Sequence, residues 1–224
     1  YAIGFCLVGS VMCIRDRNSS LNWYALEIDK KPLKYSLENK LFQKLWNPKV
    51  SKILKSLSKD CQYKDPFFEC HILWGDARKR IDNIPAHIKF DLIYLDGFSP
   101  QKCPQIWTVE FLAKLTQRLN KNGYLITYSS SAAIRKTLRE FGLCIFNIKP
   151  NKISKDSWSN GTIAIKKIDE ESLKRNLFFE KLSLMEEEHL MSKASIPYRD
   201  PNLNSNANDI IPVSYTHLTL PTKV

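Results

Sequence analysis

The sequence has no C-x-x-C pair. Its cysteines, Cys6, Cys13, Cys61, Cys70, Cys103 and Cys144, are dispersed, and its histidines do not stand at zinc-ligand spacings. That pattern excludes the common structural zinc modules and fits reduced thiols in a cytoplasmic protein. No apolar run reaches the roughly 20 residues of a membrane-spanning helix, so no membrane partner is expected. There is no G-x-G-x-x-G, which speaks against a nicotinamide-dependent dehydrogenase. Internal repeats are also absent.

What is present is a chain of 224 residues, 43% hydrophobic and 25% charged. This is enough apolar material for a sizeable core and excludes disorder throughout. The formal net charge is +11, with lysines and arginines scattered along the chain. A basic balance favours polyanionic partners such as RNA or DNA, because each neutralised phosphate releases counterions.

The two ends read as foreign to the fold. YAIGFCLVGSVMCIRDR, residues 1–17, is apolar and then abruptly charged, and lacks the basic start and cleavage site of a signal peptide. It has the look of adapter read-through in a translated metagenomic read, and SYTHLTLPTKV, residues 214–224, has the same look. The expected organisation is one domain over 18–213, incomplete at its N-terminus, between two non-native ends. In the alternative, Ala2 to Phe5 is a native strand, with Gly4 and Gly9 in a cofactor loop.

From Asn22 onward, short apolar runs alternate with amphipathic ones. The pattern predicts strands at 23–28, 67–74, 91–95, 124–128, 143–148 and 161–165. Helices are predicted at 32–46, 48–57, 77–84, 105–119, 131–141 and 169–193. Asn122-Gly123 and Gly142 are placed as helix ends. The fold class is α/β: a Rossmann-like, mostly parallel sheet with helices on both faces. The last two strands are joined through the polar stretch 149–160 without a helix, which predicts an antiparallel edge.

Sheets of this kind bind ligands at the carboxyl ends of their strands. Three predicted strands end in acids: Glu27 in ALEID, Asp76 in LWGDA and Asp96 in YLDGF. A carboxylate accepts two hydrogen bonds at once, which suits a ribose diol or an adenine amino group. Any one of the acids could instead cap a helix. Three on successive strands favour the ligand reading, although no Gly-rich loop precedes Glu27.

The run DGFSPQKCPQIWT, Asp96 to Thr108, resembles the methyltransferase domain of the MnmC family of tRNA wobble-uridine modification enzymes. Asp96, Gly97, Phe98, Pro100, Pro104 and Trp107 match, while Cys103 stands where that family has Asn. TYSSSAAIRKTLREFG is similar to the family's strand-then-helix, with Ile134, Arg135 and Lys136 at its Val-Arg-Arg step. Glu27, or alternatively Asp29, looks like the family's acid after the second strand. IPYRDP, 196–201, resembles the tail of stand-alone members.

The resemblance implies a class I methyltransferase fold, S-adenosyl-L-methionine as cofactor, and tRNA as substrate. The expected reaction is N-methylation of the 5-aminomethyl group of the wobble uridine. It places Glu27, Asp76, Ala77 and Asp96 at the cofactor, with Asp96 also catalytic. Gly97, Phe98, Trp107, Arg135 and Tyr198 are then expected on the substrate side. Phe98 and Trp107 would wall the flipped base, or Trp107 packs its helix onto the sheet. Arg135, Lys136 and Arg139 would hold phosphates, or form a solvated helix face. Tyr198 and Arg199 would close over the site. The native-looking region leaves no room for the flavin-dependent oxidase domain of some members; a separate oxidase or other modification enzyme that supplies the aminomethyl substrate is among the expected partners. Two rival readings stay open: a class I methyltransferase for another amine or RNA acceptor, and a non-catalytic binding module of the same fold.

Overall fold

The computed structural model describes residues 20–149, 161–168 and 178–210. The two ends that read as foreign, Gly4 and Gly9 among them, lie outside these residues, as does 150–160 of the polar connector. The chain divides into two compact units, Tyr1–Ile84 and Pro85–Val224.

The first unit is built on β1 (Leu21–Glu27), β2 (Gln62–Lys64) and β3 (Phe68–Trp74). β1 and β3 run parallel from Leu21↔Phe68 to Glu27↔Trp74, and β2 adds antiparallel to β3. A parallel pair needs a crossover, supplied here by α1 (Lys31–Glu38), α2 (Lys40–Leu45) and α3 (Pro48–Asp60). The single helix predicted over 32–46 is two helices, because Asn39 leaves helical geometry and its side chain caps the N–H groups of Leu41 and Phe42. α3 starts at Pro48 after the cap Asn47 and buries Val50, Ile53, Leu54 and Leu57. Those four stand at i, i+3, i+4 and i+7, one stripe of a helix. They join Ala25, Phe68, Cys70 and Ile72 in one core, each burial contributing about 1.5–3 kcal/mol before entropy is counted. The stretch predicted as one short helix at 77–84 is α4 (Ala77–Arg80) followed by a 3-10 turn, Ile81–Asn83.

The second unit carries β4 (Phe90–Tyr94), β5 (Leu119–Thr127), β6 (Cys144–Ile148), β7 (Thr162–Ile165) and β8 (Phe179–Lys181), in spatial order β4-β5-β7-β6-β8. β4 and β5 are parallel, and the remaining pairs are antiparallel. The expected antiparallel edge is present and spans β7, β6 and β8, so the sheets are mixed rather than mostly parallel, with two parallel and four antiparallel strand pairs among the described residues. Its helices are α5 (Val109–Gln117), α6 (Ala132–Glu140), α7 (Leu184–Met191) and the short α8 (Ala207–Ile210).

Two element predictions are corrected here. Asn122-Gly123 does not end a helix. α5 stops at Gln117, and Gly123 lies inside β5, where the register jumps from Phe90↔Leu119 to Leu92↔Tyr124. A Cβ on Gly123 would come within 2.9 Å of the Phe90 carbonyl oxygen, so close backbone approach selects glycine there. The helix predicted over 169–193 is also not continuous in its described part. Phe179 starts β8 and packs on Phe146 at 4.8 Å between ring centroids. α7 begins only after Ser183, which forms a reciprocal capping box with Glu186. Gly142, with φ of 80°, ends α6 as predicted. No helix among the described residues is long and apolar enough to cross a membrane.

Candidate active site

In the second unit, the chain leaves β4 at Tyr94 and makes the Asp96-Gly97-Phe98 turn. Leu95 is still tied to the sheet through its N–H to the Ile126 carbonyl, 2.9 Å. Asp96 is exposed, and no hydrogen bond or ion pair engages its carboxylate among the described residues. Gly97 is required by space: a Cβ would fall 1.9 Å from Cδ1 of Ile106. The Gly97 carbonyl accepts from the Tyr128 hydroxyl at 2.8 Å, and the Phe98 carbonyl accepts from Nε1 of Trp107 at 2.8 Å. The Trp107 and Tyr128 rings meet edge-to-face at 6.1 Å. The turn is therefore held by one hydrogen bond from each of two neighbouring aromatic residues. Burial first, then the Asp96 carboxylate and Cys103, raise the Tyr128 phenol above its ordinary value.

Of the two aromatic residues expected to wall a substrate base, only one is available. Phe98 is 75% exposed, whereas Trp107 is 1% exposed and packs inside the unit. The packing alternative for Trp107 is the one the structure shows.

Beside this turn lies a cavity of about 360 Å³, lined by Pro100, Gln101, Tyr128, Ser129, Ser130, Ser131, Ala132, His189, Ala194 and Tyr198. Its polar side chains are hydroxyls, the Gln101 carboxamide and one imidazole, with no lysine or arginine in the lining. Tyr198 is buried, and its backbone carbonyl accepts from the Val109 N–H at 3.0 Å. The following residues are gripped by one carboxylate: Glu110 accepts from Nε of Arg199 and from the Asp200 N–H, both at 2.7 Å. The IPYRDP tail is thus docked on the first turn of α5; Tyr198 lines the cavity, and Arg199, which does not, is paired with Glu110. Sequence reasoning missed Tyr128, the Ser129–Ser131 run and His189. The available signal was position, since Tyr128–Ser131 follow the carboxyl end of a parallel strand.

The three α6 cations expected at phosphates are each engaged by protein partners: Arg135 is buried, Lys136 half-buried and Arg139 exposed. Arg135 is 2% exposed. Its guanidinium donates to Thr162 Oγ1 at 2.8 Å, to Asn147 Oδ1 at 2.6 Å and to Glu186 Oε1 at 2.8 Å. Lys136 donates to Ser195, and Arg139 forms a two-pronged pair with Glu187 at 2.7 and 2.9 Å. A guanidinium is planar and forked, so several fixed acceptors can fully engage it inside a protein. Phosphate contact by Arg135 is therefore corrected to a structural role. Burial pushes the Glu186 carboxyl up, but bonds from Arg135, Ser183 and Asn147 outweigh it and pull it down to about 2.

In the first unit, Glu27 and Asp76 sit at the carboxyl ends of adjacent parallel strands, joined by the Gly75 N–H to the Glu27 carbonyl at 2.7 Å. Gly75 has φ of 127°, a conformation that favours glycine. Asp76 caps α4 through the Arg78 N–H and also receives the Arg78 guanidinium, the shortest contact being 2.6 Å. Burial would raise its carboxyl, and Arg78 more than offsets this, holding it below the ordinary value. Its side chain is doing the work of a helix cap, and Ala77 is the first residue of that helix.

Residues 40–155 match the family described as S-adenosyl-L-methionine-dependent methyltransferase. The chain belongs to that family. Among relatives of this methyltransferase, the uncharacterized protein MJ0670 of Methanocaldococcus jannaschii is 30% identical over 150 residues, 67% of this chain and 39% of that protein. The tRNA 5-methylaminomethyl-2-thiouridine biosynthesis bifunctional protein MnmC of Burkholderia multivorans is 32% identical over 71 residues, 32% of this chain and 10% of that protein. The chain thus spans well under half the length of these relatives. Among solved structures, MNMC2 from Aquifex aeolicus superposes with a TM-score of 0.64 at 22% identity, over 89% of this chain and 68% of that one. That likeness shows that the two chains share a fold.

The cofactor of the family is S-adenosyl-L-methionine, and the donor set at the strand ends of the first unit fits its nucleoside. Glu27 supplies a carboxylate acceptor, and the Gly75-Asp76-Ala77 turn supplies main-chain groups. At the same end of β3, Nε1 of Trp74 is a buried donor without a hydrogen-bond partner, the kind of group that a polar ligand satisfies.

Proposed function

We propose that this methyltransferase acts on tRNA, methylating the primary amine of a 5-aminomethyl group on the wobble uridine. The observation that carries the reading is the unengaged Asp96 carboxylate, on a turn held by Tyr128 and Trp107 beside a hydroxyl-lined cavity. The DGFSP-to-Trp107 block that builds this turn is also the one that resembles the MnmC family.

When bound, the cofactor supplies an electrophilic methyl group on a sulfonium. The chain's residues supply position and proton handling. An alkylamine is largely protonated at neutral pH and must be neutral to attack. Asp96 would take up the ammonium proton before attack, freeing the nitrogen lone pair, and orient the neutral amine. Phe98, exposed on the same turn, stacks on the extruded base, the usual means by which single-stranded bases are held. The cavity lining, without lysine or arginine, suits a nucleobase better than a phosphate, with Gln101, Ser129–Ser131, His189 and Tyr198 as its hydrogen-bonding edge. Glu27 would accept from the ribose hydroxyls of the cofactor, and Asp76 and Ala77 would contribute main-chain groups. A separate oxidase or other modification enzyme provides the aminomethyl substrate, and the reaction takes place in the cytoplasm.

The direct test is transfer of labelled methyl from S-adenosyl-L-methionine to tRNA bearing 5-aminomethyluridine, with nucleoside mass analysis of the product. Methylated wobble uridine is expected. Cofactor binding without transfer to that tRNA overturns the reading. Asp96→Asn should lower turnover at least a hundredfold, in line with loss of a general base, while leaving tRNA affinity within a few fold.

A further inference from the structure

Basic residues are scattered along the chain, but just over half of its net charge falls on one group of helices. Residues 31–60 contain eight lysines and two acids, so they carry +6 of the formal +11. α3 shows how the fold sorts them. Its apolar stripe is turned into the core, which leaves Lys52, Lys55 and Lys59 exposed on its outer side. They stand at i, i+3 and i+7, one helical face, and span about 10 Å along the axis. Lys49 at the start of α3 is paired with Asp65 at 3.1 Å. None of Lys52, Lys55 and Lys59 meets a carboxylate among the described residues. The same is true of Lys31, Lys34, Lys40 and Lys44 on α1 and α2, all exposed.

A surface that serves only solubility mixes both signs. The exposed pair of Arg139 with Glu187 in the second unit is an example. Unpaired like charges along one helix repel one another, and a polyanion relieves that repulsion while releasing its own counterions.

We infer that the Lys52–Lys55–Lys59 face of α3, with the neighbouring lysines of α1 and α2, is a docking surface for the phosphodiester backbone of RNA. The inference rests on the tRNA reading above for its choice of polyanion. The α3 face favours RNA over a lipid bilayer, whereas α2 also exposes Leu41 and Leu45, and competition by lipid vesicles separates the two. An interfacial helix presents apolar side chains beside its cations, whereas α3 turns its apolar residues inward and exposes only its ionic stripe. Tyr35, 65% exposed on α1, adds a ring on which an unpaired base can stack.

The test is equilibrium binding of the full chain to a tRNA transcript across a salt series, without cofactor or turnover. Lys52→Glu/Lys55→Glu/Lys59→Glu and the milder triple change to Gln are compared with wild type, after thermal melts verify folding. Each lost phosphate contact lowers the slope of log affinity against log salt by about 0.7–0.9. The triple variants should therefore lose roughly two units of slope and bind more than tenfold weaker at low salt. Lys181→Glu/Lys193→Glu, in the second unit, should leave both within twofold.

Wild-type affinity and slope in the triple variants overturn the surface while leaving the methylation reading intact. An equal loss in the Lys181/Lys193 variant overturns it as well. Absence of tRNA binding by wild type overturns both proposals, whereas displacement of bound tRNA by phosphatidylserine vesicles with no dependence on these lysines overturns only the surface. Lysine-dependent tRNA binding without methyl transfer upholds this surface and overturns only the reaction.

Discussion

The Tyr128 hydroxyl donates to the Gly97 carbonyl at 2.8 Å, tying the end of β5 to the turn that carries Asp96. The bond is half-exposed, and an intramolecular hydrogen bond contributes about 1 kcal/mol net. Its importance for the proposed reaction is positional. Tyr128→Phe keeps the edge-to-face contact with Trp107 and removes only the tie. Thermal stability should fall by about 1 kcal/mol or less, while the rate constant of methyl transfer falls severalfold with little change in tRNA affinity. Stopped single-turnover assays read the rate, and an unchanged rate would remove Tyr128 from the positioning of Asp96.

Gly97 is the tightest position in that turn. An added Cβ would overlap Cδ1 of Ile106, and the next atom, Cγ1, lies at 3.3 Å. Gly97→Ala should therefore destabilise by about 1–3 kcal/mol, as overpacking does. The clash is with the end of one side chain, so Ile106→Val should return much of that loss when combined with Gly97→Ala. Chemical denaturation of the two single variants and the double variant gives the coupling. Simple additivity would show that the cost arises from backbone conformation and not from Ile106.

The elements that present the site were legible because they follow period and punctuation. DLIYL is a short apolar run with polar punctuation at both ends, the DGF turn is marked by its acid and glycine, and VEFLAKLTQ shows a helical stripe. The pairings between distant elements were not legible. Arg135 sits on a helix whose sequence reads as a basic face, and its burial depends on Glu186, Asn147 and Thr162 arriving from three other elements. Trp107 was ambiguous for the same reason: only the Phe98 carbonyl and the Tyr128 ring decide whether it packs or stacks. Gly123 follows an Asn and imitates a helix end. The bulge that needs it is defined by the β4 partner, which local composition does not encode.

The Arg135–Glu186 pair gives a pH signature. The folded Glu186 carboxyl is held at about 2, against an ordinary 4.5. A depressed carboxyl contributes stability that is fully present above its unfolded value and is lost as pH falls through the folded one. The window is therefore from about pH 4.5 down to about 2, and the contribution at neutral pH is on the order of 3 kcal/mol at most. Glu186→Gln should flatten the acid limb of the stability profile in that window. It should also destabilise the protein at pH 7, because Arg135 is left buried without its counter-charge. Arg135→Lys should destabilise as well, since one ammonium cannot serve three acceptors placed for a fork. Denaturant melts between pH 2 and 7 test this, and an acid limb identical to wild type in Glu186→Gln would reject the assignment.

Glu110 holds the C-terminal tail by accepting from both the Arg199 side chain and the Asp200 backbone. Asp200 is itself fully buried and accepts from the Asn204 and Ser205 N–H groups at 3.2 and 3.1 Å. The tail has two anchors, and only the first is adjacent to Tyr198. Glu110→Gln keeps an acceptor but loses the charge and half of the fork. It should raise amide exchange at Ile196–Asp200 while leaving Asn204 and Ser205 protected. Because Tyr198 lines the cavity, the same variant should weaken binding of the modified tRNA more than binding of a tRNA transcript that lacks the aminomethyl group. Arg199→Ala removes the exposed half of the grip and should have a smaller effect, since the Asp200 N–H still reaches Glu110. Hydrogen exchange with mass detection separates the two anchors. Uniform loosening from Ile196 to Ser205 in Glu110→Gln would mean that the tail docks as one unit and that Glu110 does not act on Tyr198 selectively.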